Sequence, residues 1–281
     1  MIMKKLFYSD FIRIVFAIVA TIGLARLTTA SDKKDARVTQ VIKDVHLLGS
    51  KSAPRPATVN DSVGEGTAVR TGGDSRAELT FTDQTITRLG SNTVFSYGQG
   101  AKDFDLASGA VLMVVPKEAG TVRINTSAAT AAITGGVAMT ESHSTSVTKI
   151  IVIEGEACVK LKRGGASDPC LNLLPGDMLV LPPGASRFPE KQRVDLNKLN
   201  KSAGLINKFG KKLPGWANKL ILNSVDAQKD GSAPSSGYTD PTGTGAISQK
   251  NATGSPTPPS GILPPPGTPP PQAQTRRRGG T

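Results

Sequence analysis

A chain of 281 residues is long enough to bury a sizeable core, and a formal net charge of +12 raises the question of a polyanionic partner. The charge is unevenly placed: residues 31–190 hold seventeen basic and seventeen acidic side chains, whereas residues 191–220 hold eight Lys or Arg against the single acid Asp195. No basic stripe runs along the main body, which excludes a nucleic-acid-binding fold, and two histidines leave histidine-based nucleophilic schemes almost nothing to work with.

In chain order, the first element reads as a secretory signal over residues 1–30. Lys4, Lys5 and Arg13 form a basic n-region, Ile14 to Ala25 an apolar stretch, and Thr28 and Ala30 the small residues of a cleavage site after Ala30. Twelve residues fall short of the roughly 20 that a bilayer-spanning helix needs. The n-region is long and contains Asp10, so an uncleaved inner-membrane anchor is the alternative. Either way the residues past Ala30 are expected on the far side of the inner membrane, periplasmic or secreted.

From 36 to 182 the texture changes to short runs that alternate with period two and are rich in Val, Ile, Thr and Phe. They read RVTQVIKDVHLL, AELTFT, TITRLG, TVFSYG, AVLMVV, TVRINT, KIIVIEGEACVKL and DMLVL, with turn residues between them. This is the sequence form of an all-β domain, expected over 31–190. DFDLASGAVLMVV and KIIVIEGEACVKL share one pattern, apolar alternation, a glycine, then renewed alternation. A glycine inside a strand marks a bulge or a close backbone approach, so stacked strand–kink–strand units are expected, as a β-sandwich or a β-solenoid.

The only cysteines, Cys158 and Cys170, flank Gly164 at equal distance. With a hairpin turn at Gly164-Gly165 they fall opposite each other on antiparallel strands, about 5 Å apart at Cα and within disulfide range. Export places them where disulfides persist. Neither His46 nor His143 lies at a metal-ligand spacing, so no metal site and no cofactor are expected.

Residues 191–230 form a basic amphipathic helical segment. Leu196, Leu199, Ala203, Ile206, Phe209 and Leu213 follow a three–four spacing, Pro214-Gly215 breaks the run, and Trp216, Leu220 and Ile221 begin a second short amphipathic turn. Lys198, Lys201, Lys208, Lys211, Lys212 and Lys219 populate mainly the other sides, and with Trp216 they are the candidate partner-contact residues. The stripe either packs on the β domain or faces a membrane surface or anionic polymer through 191–220. Gly204 and Gly210 weaken an isolated helix and favour docking. Residues 231–281 hold eleven of the twenty prolines, and cannot bury enough apolar surface to order themselves, so a disordered tail is expected.

VGEGTAVRTGGDSRAELTFTDQTITRLGSNTVFSY resembles the opening of the FecR domain, with Gly66, Thr71, Gly72, Ser75, Ala77, Leu79 and Asp83 at the pattern's positions. LASGAVLMVV at Gly109, VRINTSAATAAITGGVAMTES, IVIEGEACV and LLPGDMLVL resemble its later elements, over roughly 36–182. The usual Asp-Gly turn reads Asp83-Gln84-Thr85, and the usual Gly-Thr reads Gly135-Gly136. The resemblance implies a FecR-type β domain without the anti-sigma segment of iron-siderophore regulators, similar to the stand-alone secreted form.

No GxSxG, HExxH or GxxxxGK[ST] is present. Asp103 with Asp105, and Glu154 with Glu156, put carboxylates on one strand face, expected to be solvated. Three classes of function remain. One is a non-catalytic binding scaffold for a protein or an anionic envelope component. Another is a periplasmic component relaying an envelope or iron-uptake signal to a membrane partner. The third is an enzyme, whose site the sequence does not show.

Overall fold

The computed structural model describes residues 36–98, 102–143, 146–165 and 169–232. The expected signal segment and nearly all of the Pro-rich tail, Arg276 to Arg278 included, lie outside the described residues. Strands make up 49% of the described residues. The first eight are β1 (Ala36–Ile42), β2 (Val45–Gly49), β3 (Arg55–Pro56), β4 (Ser62–Val63), β5 (Thr67–Thr71), β6 (Arg76–Phe81), β7 (Ile86–Leu89) and β8 (Val94–Tyr97). Then come the long β9 (Asp103–Val115), β10 (Thr121–Asn125), and the long β11 (Ala129–Ser142) and β12 (Thr148–Leu161). β13 (Leu171–Leu173), β14 (Asp177–Leu181) and β15 (Gln192–Arg193) follow. Three helices close the described chain: α1 (Leu196–Ser202), α2 (Gly204–Asn207) and α3 (Gly215–Lys229).

The pairing registers divide these strands into two sheets that share β9, β11 and β12. The C-terminal half of β9 pairs with β7 and with the C-terminal half of β11, which pairs with the N-terminal half of β12. That inner sheet runs β15–β14–β12–β11–β9–β7–β6–β1–β4. The other halves of the three strands build the outer sheet, ordered β13–β12–β11–β10–β9–β8–β5–β2–β3. β9 with β10 is a parallel pair in an otherwise antiparallel scheme.

Each long strand passes from one sheet to the other at a glycine. Gly109 in β9 has φ +91° and Gly155 in β12 has φ +78°. A Cβ on Gly109 would run into the Thr93 backbone, and one on Gly155 into the carbonyl oxygen of Gly135. Left-handed backbone and that closeness both demand glycine. The strand–kink–strand reading holds, and of the two architectures expected it is the sandwich that forms.

The run RVTQVIKDVHLL is two strands. Lys43 adopts φ +60°, and β1 joins the inner sheet while β2 joins the outer one. The sheets face each other across one core that draws on both. Phe81 of the inner sheet meets Phe104 of the outer sheet edge-on at 5.0 Å, and Phe104 stacks on Phe95 at 5.3 Å. Each side chain fully buried there contributes about 1.5–3 kcal/mol.

A second core lies on the far face of the inner sheet. Ile86, Leu112, Val114, Met139, Ile151 and Met178 project from it and meet Leu196, Leu199, Leu205, Ala217, Ile221 and Val225 from the helices. The 191–230 stripe therefore packs on the β domain. Helix breakage differs from the spacing's suggestion: the first run splits at Ala203 into α1 and α2, and the expected short turn after Pro214 is the 15-residue α3.

Candidate partner-contact surface

Docking the helices fixes which side chains remain to meet a partner. Asp195 caps α1 by accepting a hydrogen bond from the Lys198 backbone N–H at 2.9 Å. The end of α3 returns to the start of α1: the Gln228 side chain accepts from the Leu196 N–H at 2.7 Å and donates to the Val194 carbonyl at 3.0 Å. Asp177 on β14 anchors the lead-in to the helices, accepting from Arg193, from Lys191 at 2.9 Å and from the Leu174 N–H at 2.9 Å. Burial alone would raise the Asp177 carboxyl, but these donors outweigh it and hold it below the ordinary carboxylate range.

The strongest tie is Arg88 on β7, with no side-chain exposure. It donates to Glu78 at 2.8 Å, to the carbonyls of Leu205 at 3.2 Å and Ile206 at 2.9 Å, and to that of Lys211 at 2.7 Å. Its guanidinium also lies 4.2 Å from the ring centre of Phe209. Desolvation pulls Arg88 below its ordinary value, and Glu78 pulls it back. A guanidinium fork can satisfy several carbonyls at a helix C-terminus in one plane, a task lysine cannot perform. Gln40 seconds it, bonding both the N–H and the carbonyl of Lys211. Sequence reading missed Arg88 because TITRLG gives an arginine in an alternating strand no sign of being inward.

With the apolar side committed, Lys198, Lys201, Lys208, Lys211, Lys212, Lys219 and Trp216 all lie exposed. Lys198 pairs with Asp195 at 3.6 Å. Of the other cations of the basic segment, Arg193 and Lys191 are engaged by Asp177 and Lys229 by Asp226. Lys198 and Lys201 lie on α1, Lys208, Lys211 and Lys212 in the connection between α2 and α3, and Trp216 and Lys219 on α3.

Cys158 and Cys170 form a disulfide with 5.5 Å between their Cα atoms. Their expected direct opposition is corrected: Cys158 sits opposite Asn172, and Cys170 precedes β13. The register is displaced by two residues from mirror symmetry about Gly164. A two-residue displacement keeps both side chains on the same face, so the bond forms on the diagonal.

The paired carboxylates separate in kind. Asp103 and Asp105 lie half-buried on the outer sheet, with Asp103 3.5 Å from Arg123. Glu156 is exposed, while Glu154 sits in the β11–β12 kink beside an opening of about 350 Å³ lined also by Lys117, Thr134, Gly135 and Gly155. Burial raises the Glu154 carboxyl, opposed by Lys117. Among the described residues no three His, Cys, Asp or Glu side chains gather as a metal-holding group.

Residues 67–158 match the family model described as FecR protein. That span is similar to the FecR family. The residues behind the resemblance turn out to shape the sandwich rather than to face a ligand. Thr71 accepts from the Thr93 N–H at 2.9 Å, Ser75 from the Asp44 N–H at 3.1 Å and Asp83 from the Thr85 N–H at 3.0 Å, while Ala77 and Leu79 are core. The sandwich extends past the matched span at both ends, through β1 to β4 and β13 to β15.

No curated protein matches the chain. Two crystal structures of a candidate anti-sigma factor from Parabacteroides distasonis ATCC 8503 are similar. One, at 2.50 Å, is 16% identical with a TM-score of 0.42, covering 50% of this chain and 64% of its own, just under two thirds. The other, at 1.65 Å, is 13% identical with a TM-score of 0.39, covering 56% and 74%.

Proposed function

We propose that this is a non-catalytic FecR-domain protein of the bacterial envelope, exported through residues 1–30 and acting as a scaffold for a protein or an anionic envelope polymer. One observation carries the reading. The helical layer turns its apolar side onto the inner sheet and presents six lysines and Trp216 outward, with Asp195 the one acid paired among them. The buried Arg88, Glu78, Asp177 and Gln228 hold layers together. The Cys158–Cys170 disulfide suits an oxidising compartment, which supports export.

The test is capture from an envelope extract with the full chain as bait, beside a variant carrying Lys201→Glu, Lys208→Glu, Lys212→Glu and Lys219→Glu. Deleting the layer would be a poor comparison, because it uncovers Leu112, Val114, Met139 and Ile151. Loss of specific partners in the variant supports the proposal; equal capture moves binding to the outer sheet. Mass spectrometry of the protein from envelope fractions reads export: a start at Ser31 supports cleavage, a membrane-held Met1 an anchor, and a cytosolic Met1 removes export.

A second reading, a periplasmic component that relays an envelope or iron-uptake state to a membrane partner, draws its support from the FecR match. A retained membrane anchor would favour relay over a free scaffold.

A further inference from the structure

Resting on the binding reading above, we infer that the outward side of the helical layer is an adsorption surface for an anionic lipid bilayer. The first observation is the type of cation. Lys198, Lys201, Lys208, Lys211, Lys212 and Lys219 are exposed, while the two arginines of the region, Arg88 and Arg193, are committed inward. Guanidinium forks suit fixed, bidentate recognition of a carboxylate or phosphate. Ammonium groups on long stems have no preferred geometry, and suit a smeared negative charge.

The second observation is apolar exposure in the same place. Four large hydrophobics stand out among the described residues, and two of them, Trp216 at 37% and Leu222 at 41%, lie on α3. At 100° per residue they bound the outward arc of that helix, with Lys219, Asn223 and Asp226 between them, opposite the buried Ala217, Ile221 and Val225. Asp226 is matched by Lys229 at 3.0 Å, so it does not offset the lysines further up the layer. An indole and a leucine beside lysines are what a headgroup-level contact uses. A soluble polyanion, held by charge alone, has no use for them.

The third observation sets the depth. Leu196, Leu199, Leu205, Ile221 and Val225 are occupied by the inner sheet, so the layer has no free apolar face to insert. Contact is therefore shallow, reversible and governed by charge, with Trp216 reaching the headgroups.

Trp216 is the only tryptophan in the chain, so its emission reports on this surface alone. The full-length protein is mixed with vesicles of phosphatidylcholine, and with vesicles containing about 30% phosphatidylglycerol as the anionic lipid. The expected result is co-sedimentation with the anionic vesicles, a blue-shifted Trp216 emission quenched by bromine-labelled lipid, and reversal of both by ~0.5 M NaCl. The four lysine reversals weaken the binding by at least about tenfold, with circular dichroism checking the fold. The apolar stretch near the N-terminus is the same in both proteins, so the difference belongs to the layer. Should the variant fail to fold, the salt response and Trp216 quenching of the unaltered chain decide alone. Equal binding to neutral vesicles, or binding without a Trp216 shift, overturns the inference. Binding to long-chain polyphosphate but not to anionic vesicles overturns it too, while leaving the scaffold function standing.

Discussion

The inner and outer sheets are cut from the same three long strands, yet they bury them differently. In β9, Asp103 to Leu106 alternate between half-buried and buried, Ala107 is exposed, and from Gly109 onward every residue is buried. β11 changes the same way at Gly135 and Gly136, and β12 in reverse at Gly155. The outer sheet has the core on one side and solvent on the other; the inner sheet has the core on one side and helices on the other. A strand covered on both faces reads as a continuous apolar run, and one covered on a single face alternates. The glycines are where one strand exchanges one regime for the other.

The hardest blow to that contrast is to release the cover of the inner sheet. Replacing Arg88 with Met leaves Glu78 as an unpaired charge and strips donors from the carbonyls of Leu205, Ile206 and Lys211. Breaking a buried pair this way costs about 3–5 kcal/mol. Urea unfolding should show that loss, with proteolytic cuts appearing first in 196–214. Arg88→Lys should fail as a rescue, since an ammonium cannot span the same acceptors. A loss under about 1 kcal/mol would mean the layer is held by its apolar contacts alone.

The outer sheet offers the next test, at its edge. β13 is three residues long and pairs only with β12, so the Cys158–Cys170 bond keeps a marginal strand in place. Replacing both cysteines with alanine should cost roughly 3 kcal/mol in the chain-entropy view. Hydrogen exchange should rise in 169–174 while β9 and β11 of the inner sheet stay protected. Uniform loosening of both sheets would show that the bond braces the whole sandwich.

Smaller again is a change at the crossing itself. Gly155→Ala places a Cβ against the Gly135 carbonyl in left-handed backbone, a strain of about 1–3 kcal/mol. Because the crossing belongs to both sheets, exchange should increase on each side of residue 155. Glu156→Ala, exposed and one position on, should leave the midpoint nearly unchanged.

These features differ in how far the sequence discloses them. Alternation, turn punctuation and the repeated glycine expose the β architecture, because period-two burial is written locally. The lysine layer is also legible, since the three–four spacing of Leu196, Leu199 and Ala203 already separates a docking side from a wet one. Arg88 is not, because its role depends on carbonyls more than 110 positions later. The cysteine register escaped for a related reason: mirror placement about Gly164 fits two registers that differ by two residues and share a face, and local pattern cannot choose between them.

The gentlest probe is a titration that sets the two sheets' junction against the helical anchor. Asp177 has its carboxyl lowered by the fold, so it stabilises above the unfolded-state value near ~4 and that contribution is lost as pH falls through its folded value. Glu154 works with the opposite sign. Burial in the kink raises its carboxyl, so its ionised form costs stability at neutral pH and the cost vanishes on acidification. Glu154→Gln keeps the shape and removes the charge. The variant should melt slightly higher than the unaltered protein at pH 7, and the two midpoints should converge as pH drops below about 4. A variant that melts lower at pH 7 would mean that the Lys117 attraction outweighs desolvation, and that the crossing is held by charge as the helical layer is.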